Sequence, residues 1–458
     1  MSRVTQRKVR IGWFSPVNLP EKTSSTLSAY TTDLLLPQLR NEFDITVFHS
    51  GFQQYQDYKT AHFLSAAEQH SRDPFDLFFY QLEDHPESNF IRQYCGVMPG
   101  AIWFHDFLFT SHGPEPILNS PFEDVIEHFN SDTCDFRERG HEYKERERSG
   151  IREAGLSVLR VFSREIAHSE CKRRVSSSLT FQEQENRILS AYLPVPIPDV
   201  SAPLFDAEDQ FRILFCGSVQ VEHRAHKLFQ AIAALDPSTP VVWLCSLAEQ
   251  HAAEELIKEY GLSSVQLLPE RSPKKWQQLV EERGWRSVAA HIHFSVYGQT
   301  APYLQMSLAA GLPTLISDFG GAEFLPDSLT FKIEPGQTES SQIQIVLEEL
   351  LSKRVHVDSS AAADFARENF SKEQIGRELS FMVRQALPVL SEMNARWGKL
   401  HRAARDEVLD FALSVHLKRA EEDLFPQTSA FENSATNSSV TLASEQLQEI
   451  FQELGFSK

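Results

Sequence analysis

The feature that most constrains this chain lies near its middle. The stretch Leu193 to Phe205 (LPVPIPDVSAPLF) carries four prolines. Proline fixes φ and removes a backbone donor, so this stretch cannot extend a helix and favours an extended, semi-rigid path. The sequence on either side of it opens in the same way. Before it, Lys8 to Val17 reads as a buried strand, Asn18 to Thr26 as a polar loop, Leu27 to Arg40 as a helix and Asp44 to Phe48 as a strand. After it, Phe211 to Cys216 (FRILFC) reads as a strand, Gly217 to Ala225 as a loop, Lys227 to Leu235 as a helix and Val241 to Cys245 as a strand. Strand, loop, helix, strand is the opening of a parallel α/β sheet. The chain therefore reads as two such sheets with a linker between them.

Further runs fit the same scheme. Asp76 to Leu82 (DLFFYQL) and Ala101 to Phe104 (AIWF) are continuously apolar, as parallel strands covered on both faces are. Pro86 to Tyr94 reads as a helix between them, and Leu156 to Phe162 as a strand or a buried helix. In the second half, helices are expected at Leu247 to Tyr260, Pro273 to Arg283 and Pro302 to Ala310. Strands are expected at Val265 to Leu268, His291 to Val296 and Pro313 to Ser317. The expected architecture is α/β, with two Rossmann-like doubly wound domains facing a cleft and a C-terminal helical extension. The boundaries are 1–200 and 206–388 for the two domains, with an insertion at about 107–150 in the first. Residues 389–424 form the helical extension and 425–458 a flexible tail. Open α/β sheets bind ligands beyond the carboxyl ends of their strands, so the loops there are the place to seek function.

At 458 residues the chain exceeds one ordinary hydrophobic core, and 41 % hydrophobic residues allow sizeable cores in both halves. A net charge of −19 argues against a general nucleic-acid binder, because phosphate backbones reward clustered Lys and Arg. The five cysteines form no CxxC pair, which suggests reduced thiols in a cytoplasmic protein. No apolar run approaches the ~20 residues of a membrane span, so any membrane association runs through a partner. His291 and His293 form an HxH pair without a third ligand nearby, so no metal is expected. Neither a GxSxG elbow nor a phosphate loop ending in GK[ST] is present.

Four segments in order carry a resemblance. IGWFSPVNLPEKTSSTLSAYTTDLLLPQL, DLFFYQL followed by AIWFHD, FRILFCGSVQVEHRAHKLFQAIAAL, and YGQTAPYLQMSLAAGLPTLISDFGGAEFLPD together resemble glycosyltransferase family 4, over most of Arg10 to Leu387. That resemblance implies the GT-B fold and a retaining, metal-independent glycosyltransferase of polysaccharide biosynthesis. An acceptor-side domain would come first and a nucleotide-sugar domain second. The sugar would pass from a nucleotide-diphosphate donor to a glycan, lipid-linked or protein acceptor, with no cofactor.

The resemblance also implies site residues. His105 and Asp106, ending a strand, would face the transferring sugar. Arg224 and Lys227 would hold the donor diphosphate, since two cations in a water-poor cleft stabilise the charge on a departing nucleoside diphosphate. The same two residues could equally be solvated residues at a helix start. Gly217, Ser218, Gly298, Gln299, Thr300, Gly320, Gly321 and Glu323 would form the donor-binding loops. Glycines let backbone N–H groups approach a phosphate, or simply make a tight turn. Ser15 and the hydroxyls of Thr23, Ser24 and Ser25 would lie in the acceptor-side loop, where they cap the following helix or contact phosphate.

One departure stands out. Many family members carry two glutamates with seven residues between them, and the matching positions here are Gly298 and Met306. That loss motivates an alternative: a non-catalytic GT-B subunit supporting a partner glycosyltransferase. Two charged segments bear on partners. Arg137 to Arg148 reads as a solvated helix face or a lid. Ser444 to Phe456, with Leu447, Ile450, Phe451 and Leu454 on one face, reads as a tethered helix that docks on its own domain or on a protein partner.

Overall fold

The computed structural model describes residues 7–20, 26–83, 85–88, 90–91, 94, 100–105, 159–163, 188–198, 210–219, 223–281, 285–291, 302–318, 322, 325–352 and 358–388. The expected insertion at 107–150, the expected extension at 389–424 and the tail with the helix expected at 444–456 lie outside these residues.

The first half contains β1 (Val9–Phe14), α1 (Leu27–Leu39), β2 (Phe43–His49), β3 (Lys59–His62), α2 (Ala66–Arg72), β4 (Leu77–Leu82), β5 (Ala101–Phe104), β6 (Leu159–Ser163) and β7 (Ile188–Ala191). They form a 7-stranded parallel sheet in the order β3-β2-β1-β4-β5-β6-β7. The second half contains β8 (Gln210–Cys216), α3 (Ala225–Leu235), β9 (Val241–Leu244), α4 (Gln250–Glu259), β10 (Val265–Leu268), α5 (Pro273–Glu281), β11 (Trp285–His291), α6 (Pro302–Ala309), β12 (Thr314–Ser317), β13 (Phe331–Ile333), α7 (Glu339–Leu351) and α8 (Ser359–Phe370). Its 6-stranded parallel sheet has the order β10-β9-β8-β11-β12-β13. A last helix, α9, spans 372–388.

In each sheet the opening strand is central, and the order reverses beside it, between β1 and β4 and between β8 and β11. Those reversals are the switch points at which open α/β sheets leave a crevice. The central strands are apolar throughout because both faces are covered. Trp13 stacks on Phe79 of the neighbouring strand with centroids 4.4 Å apart, and Phe14 stacks on Phe48 at 4.9 Å. Such directly opposed aromatic pairs help to fix strand register. Gly12 is required by this packing. A Cβ there would lie 2.6 Å from Cδ1 of Phe78.

Several expectations shift in the structure. The strand expected at His291 to Val296 is β11, at Trp285–His291. Its polar residues hid it: Ser287 is buried because its hydroxyl accepts a 2.8 Å hydrogen bond from Nε of the equally buried Arg212 on β8. The helix expected at Pro86 to Tyr94 opens with a short 3-10 turn, Pro86–Ser88, and the described residues 90, 91 and 94 are helical. Strands β3, β7 and β13 and helices α2, α7 and α8 were not anticipated. The proline-rich stretch does not start as a free linker. Leu193 and Val195 are fully buried, and Val195 forms a parallel bridge with Ser371.

That bridge leads into the joint between the halves. Helix α9 follows the second sheet in the chain but packs against the first. Gly376 approaches Gln38 of α1 so closely that a Cβ would fall 2.8 Å from the Gln38 Cβ, and Arg384 binds Glu42 at 2.7 Å. One continuous apolar cluster includes Ile11, Trp13, Phe79 and Trp103 of the first sheet, Ile375, Leu379 and Val383 of α9, and Leu214, Ala289 and Ile316 of the second sheet. Burying each large side chain of this set contributes roughly 1.5–3 kcal/mol.

Candidate active site

The site is built from the carboxyl ends of the two sheets. On the first sheet, β5 delivers His105, whose side chain is fully buried. Its ring lies over Trp103 at 5.5 Å, and its Nε2 meets the Gln81 Oε1 at the end of β4. An amide oxygen only accepts, so Nε2 carries the proton and Nδ1 is the acceptor nitrogen. Burial pushes the imidazole down to about 3, so His105 is neutral at physiological pH.

Next to it, Glu83 follows β4 and reaches the amino end of α1. Its carboxylate accepts from the Leu27 N–H (3.2 Å), the Ser28 N–H (3.0 Å) and the Ser28 hydroxyl (3.0 Å). Thr26 caps the same helix by accepting from the Ala29 N–H at 3.1 Å. The first turn of α1 thus already holds an anion of the chain's own, which favours its positive dipole end. Sequence reasoning missed Glu83; its one signal was an acidic residue directly after a continuous apolar run. Ser15 also lies beneath α1. Its hydroxyl bonds the Pro16 carbonyl (2.7 Å) and accepts from Thr32, which in turn accepts from the Trp13 indole.

On the second sheet, β8 ends at Cys216, followed by Gly217 and Ser218. A Cβ at Gly217 would lie 2.7 Å from the Phe215 ring, and its carbonyl accepts from the Trp243 indole at 2.9 Å. The Ser218 hydroxyl donates to Glu249, which also accepts from Ser246 at 2.7 Å. Burial alone would raise the Glu249 carboxyl. The two hydroxyls and the charge of Arg271 outweigh it and hold the group below its ordinary range.

Arg224 starts α3 with φ 55° and ψ 22°, in the left-handed region. Its Nε lies 3.1 and 3.0 Å from the two carboxylate oxygens of Glu339 on α7, and its Nη2 also binds that carboxylate. Glu339 is fully buried. Arg224 is therefore engaged by an ion pair between α3 and α7. Lys227 follows in the first turn of α3, half-buried and without an ion pair among the described residues.

Two tyrosines join the halves. Tyr303, in the first turn of α6, bonds the Cys216 thiol and lies within electrostatic reach of Arg271 and of Tyr30 on α1. Tyr30 keeps part of its ring exposed, but its hydroxyl is buried. Both tyrosines pack at the apolar cluster shared by the two sheets, and because α1 leaves the carboxyl end of β1 and α6 that of β11, this sets the carboxyl ends of the two sheets toward each other. The thiol of Cys216 is pushed up to about 12, chiefly by burial, and is not a nucleophile. Met306, matched by the sequence resemblance to a glutamate position, is buried in α6. Asp106, Thr23, Ser24, Ser25, Gly298, Gln299, Thr300, Gly320, Gly321 and Glu323 lie outside the described residues. Among the described residues, no helix is long and apolar enough to cross a membrane.

No family model and no curated protein matches this sequence. Solved structures do. A sucrose-phosphate synthase from Thermosynechococcus elongatus superposes with a TM-score of 0.59 at 12 % identity, covering 83 % of this chain and 100 % of that one. The chain has the GT-B fold. Anabaena HepE, in complex with UDP and glucose, gives a TM-score of 0.55 at 14 % identity over 82 % of this chain and 100 % of that one. A glycosyltransferase from Rickettsia africae gives 0.54 at 12 % identity over 83 % and 99 %.

Proposed function

We propose that this GT-B chain is a glycosyltransferase that moves a sugar from a nucleotide-diphosphate donor to a glycan, lipid-linked or protein acceptor. The observation that carries the reading is the apolar cluster shared by the two sheets, which Tyr303 of α6 joins and Tyr30 of α1 packs against, so that the helices leaving the carboxyl ends of β1 and β11 meet at one joint. Ligands of open α/β sheets bind at such ends. HepE, which shares the fold, is described in complex with UDP, with UDP-glucose and with UDP and glucose.

In this reading the second sheet holds the nucleotide and the first the acceptor. Breaking the glycosidic bond leaves negative charge on the departing diphosphate, and fixed cations in a water-poor crevice stabilise it without a metal. Lys227 is assigned to that charge. Arg224, bound to Glu339, shapes the turn that presents Lys227 and the 217–218 loop. His105, neutral and fixed by Gln81, suits hydrogen bonding to a sugar hydroxyl rather than proton transfer near pH 7. Retention of configuration and independence of metal are part of the proposal, on the family resemblance of the four sequence segments.

The test is a thermal-shift panel of UDP, GDP, ADP and CMP with their common sugars, on the wild type and Lys227→Ala. A ligand at 100 times its dissociation constant adds about 2.7 kcal/mol. At about 2–4 °C per kcal/mol, that shift is readily seen. Stabilisation by one base, weakened in the variant, supports the reading. No response to any nucleotide overturns it.

A further inference from the structure

Three arginines with described side chains near the second sheet differ in one respect. Arg212 is buried and donates to the Ser287 hydroxyl at 2.8 Å and the Leu279 carbonyl at 2.9 Å. Arg224 is held by Glu339. Arg271 is half-buried, yet among the described residues it makes no ion pair and donates no hydrogen bond. A guanidinium carries five donors in a planar fork, and partial burial removes much of the water that would satisfy them. An arginine in that position is set up for an anion from outside the chain.

Its place defines what reaches it. Arg271 sits between the end of β10 and the start of α5. The neighbouring strand ends are in step with it, as the Cys245 N–H bonds the Leu268 carbonyl at 3.1 Å and the Gly217 N–H bonds the Leu244 carbonyl at 3.2 Å. Helix α5 is packed on α6 through Trp276, whose ring lies 5.7 Å from Tyr303 and whose indole donates to Ser307 at 3.2 Å. Arg271 therefore faces the carboxyl ends of β8 and β9 and the first turn of α6, and its charge acts on Cys216, Cys245, Glu249 and Tyr303. Glu249 is the one carboxylate in that group, and it is bound by Ser218 and Ser246 instead. From the opposite sheet comes an independent feature: the buried Tyr30 hydroxyl, beside Tyr303, has no hydrogen-bond partner among the described residues.

We propose that Arg271 binds the diphosphate of the donor, and that the Tyr30 hydroxyl reaches the same ligand across the crevice. The assignment rests on the nucleotide-sugar reading above and adds a cation that the sequence motifs did not indicate. A guanidinium fork matches two phosphate oxygens at once, which a lysine cannot do. Tyr30 contributes a single neutral bond, so its removal matters less.

Calorimetric titration with UDP, GDP and ADP, and with uridine, guanosine and adenosine, tests this on the full chain. The variants are Arg271→Ala, Arg271→Lys and Tyr30→Phe, each first shown to melt as the wild type does. For the diphosphate that the wild type binds, Arg271→Ala is expected to weaken affinity at least about tenfold, as loss of a charge-assisted pair does, with the nucleoside's affinity unchanged. Arg271→Lys is expected to fall between them, and Tyr30→Phe to lose about threefold. Undiminished diphosphate binding in Arg271→Ala overturns the assignment and leaves the donor reading standing. Equal loss for nucleoside and diphosphate overturns it too, since Arg271 then serves the base or the shape of the site. A wild type that binds none of the six removes the donor reading and this inference with it.

Discussion

Arg224 and Glu339 form an ion pair between the first turns of α3 and α7, with the arginine side chain 12 % exposed and the glutamate fully buried. The pair is also tied to backbone geometry, because Arg224 holds φ 55°. Removing the arginine leaves an uncompensated buried carboxylate, which costs about 3–5 kcal/mol. Arg224→Ala should lower the unfolding free energy by that order, read from urea titration. Arg224→Gly should do about 1 kcal/mol better than Ala despite lacking the same guanidinium, because glycine enters the left-handed region without penalty. If the two variants unfold alike, the backbone strain inferred for this turn is absent.

Glu83 closes the amino end of α1 by accepting from two backbone N–H groups and one hydroxyl. Glu83→Ala leaves the Leu27 and Ser28 donors without this acceptor and removes the charge that favours the helix dipole. The expected loss is about 1–3 kcal/mol. Glu83→Gln keeps an acceptor oxygen and should lose less than Ala does. Chemical denaturation of both variants checks the order. An Ala variant as stable as the wild type would show that the carboxylate does no capping.

How much of this was legible in the sequence depended on whether a residue's role was local. The strands β1, β4, β5 and β8 announced themselves because parallel strands covered on both faces must be apolar throughout. Capping of α1 by a hydroxyl of the cluster at Thr23 to Thr26 was equally local, and it is Thr26 that accepts from the N–H three residues on. Strand β11 was misplaced because Ser287 looks like surface until Arg212, 75 residues away, is seen bonded to it. Arg224 read as a diphosphate-holding or solvated cation, and its pairing with Glu339 was hidden for the same reason, since Glu339 lies 115 residues further on. Arg271 and Tyr30 gave no signal at all: what marks them is the lack of a hydrogen-bond or ion-pair partner among the described residues, and only the fold shows that.

Gly12 tests how tightly the first sheet is packed. An added Cβ would meet the Phe78 ring at 2.6 and 2.8 Å and the Phe48 ring at 3.2 Å. Both rings are locked among other aromatics, Phe48 against Phe14 and Phe75, and Phe78 against Phe75 and Tyr80. Neither can yield freely, so Gly12→Ala should cost about 1–3 kcal/mol through overpacking. Adding Phe78→Leu makes room and should make the double variant more stable than the sum of the two single losses predicts. Strict additivity in this cycle would mean that the Phe78 contact is not the source of the cost.

The neutral His105 carries a pH signature whose sign is fixed by its burial. Its pKa falls from the ordinary 6.5 to about 3 in the folded chain because the charged imidazolium loses its hydration there. The unfolded chain binds the proton below about pH 6.5, and the folded chain does not bind it until near pH 3. The stabilisation is therefore complete above pH 6.5 and is lost progressively as the pH falls toward 3. His62, lowered to about 4 by burial, and His49, lowered by burial, act in the same direction. Only the difference between variants therefore isolates His105. His105→Gln removes the titrating group, and its urea midpoint should fall less steeply than that of the wild type between pH 6.5 and 4. Near pH 7 the variant should be the less stable of the two, because a glutamine in the imidazole's place alters the bond to Gln81 and the packing on Trp103. Parallel midpoint curves across that window would mean that His105 exchanges its proton on folding no more than a solvated histidine does, and the neutral, hydrogen-bonding role assigned to it at the crevice would have to be given up.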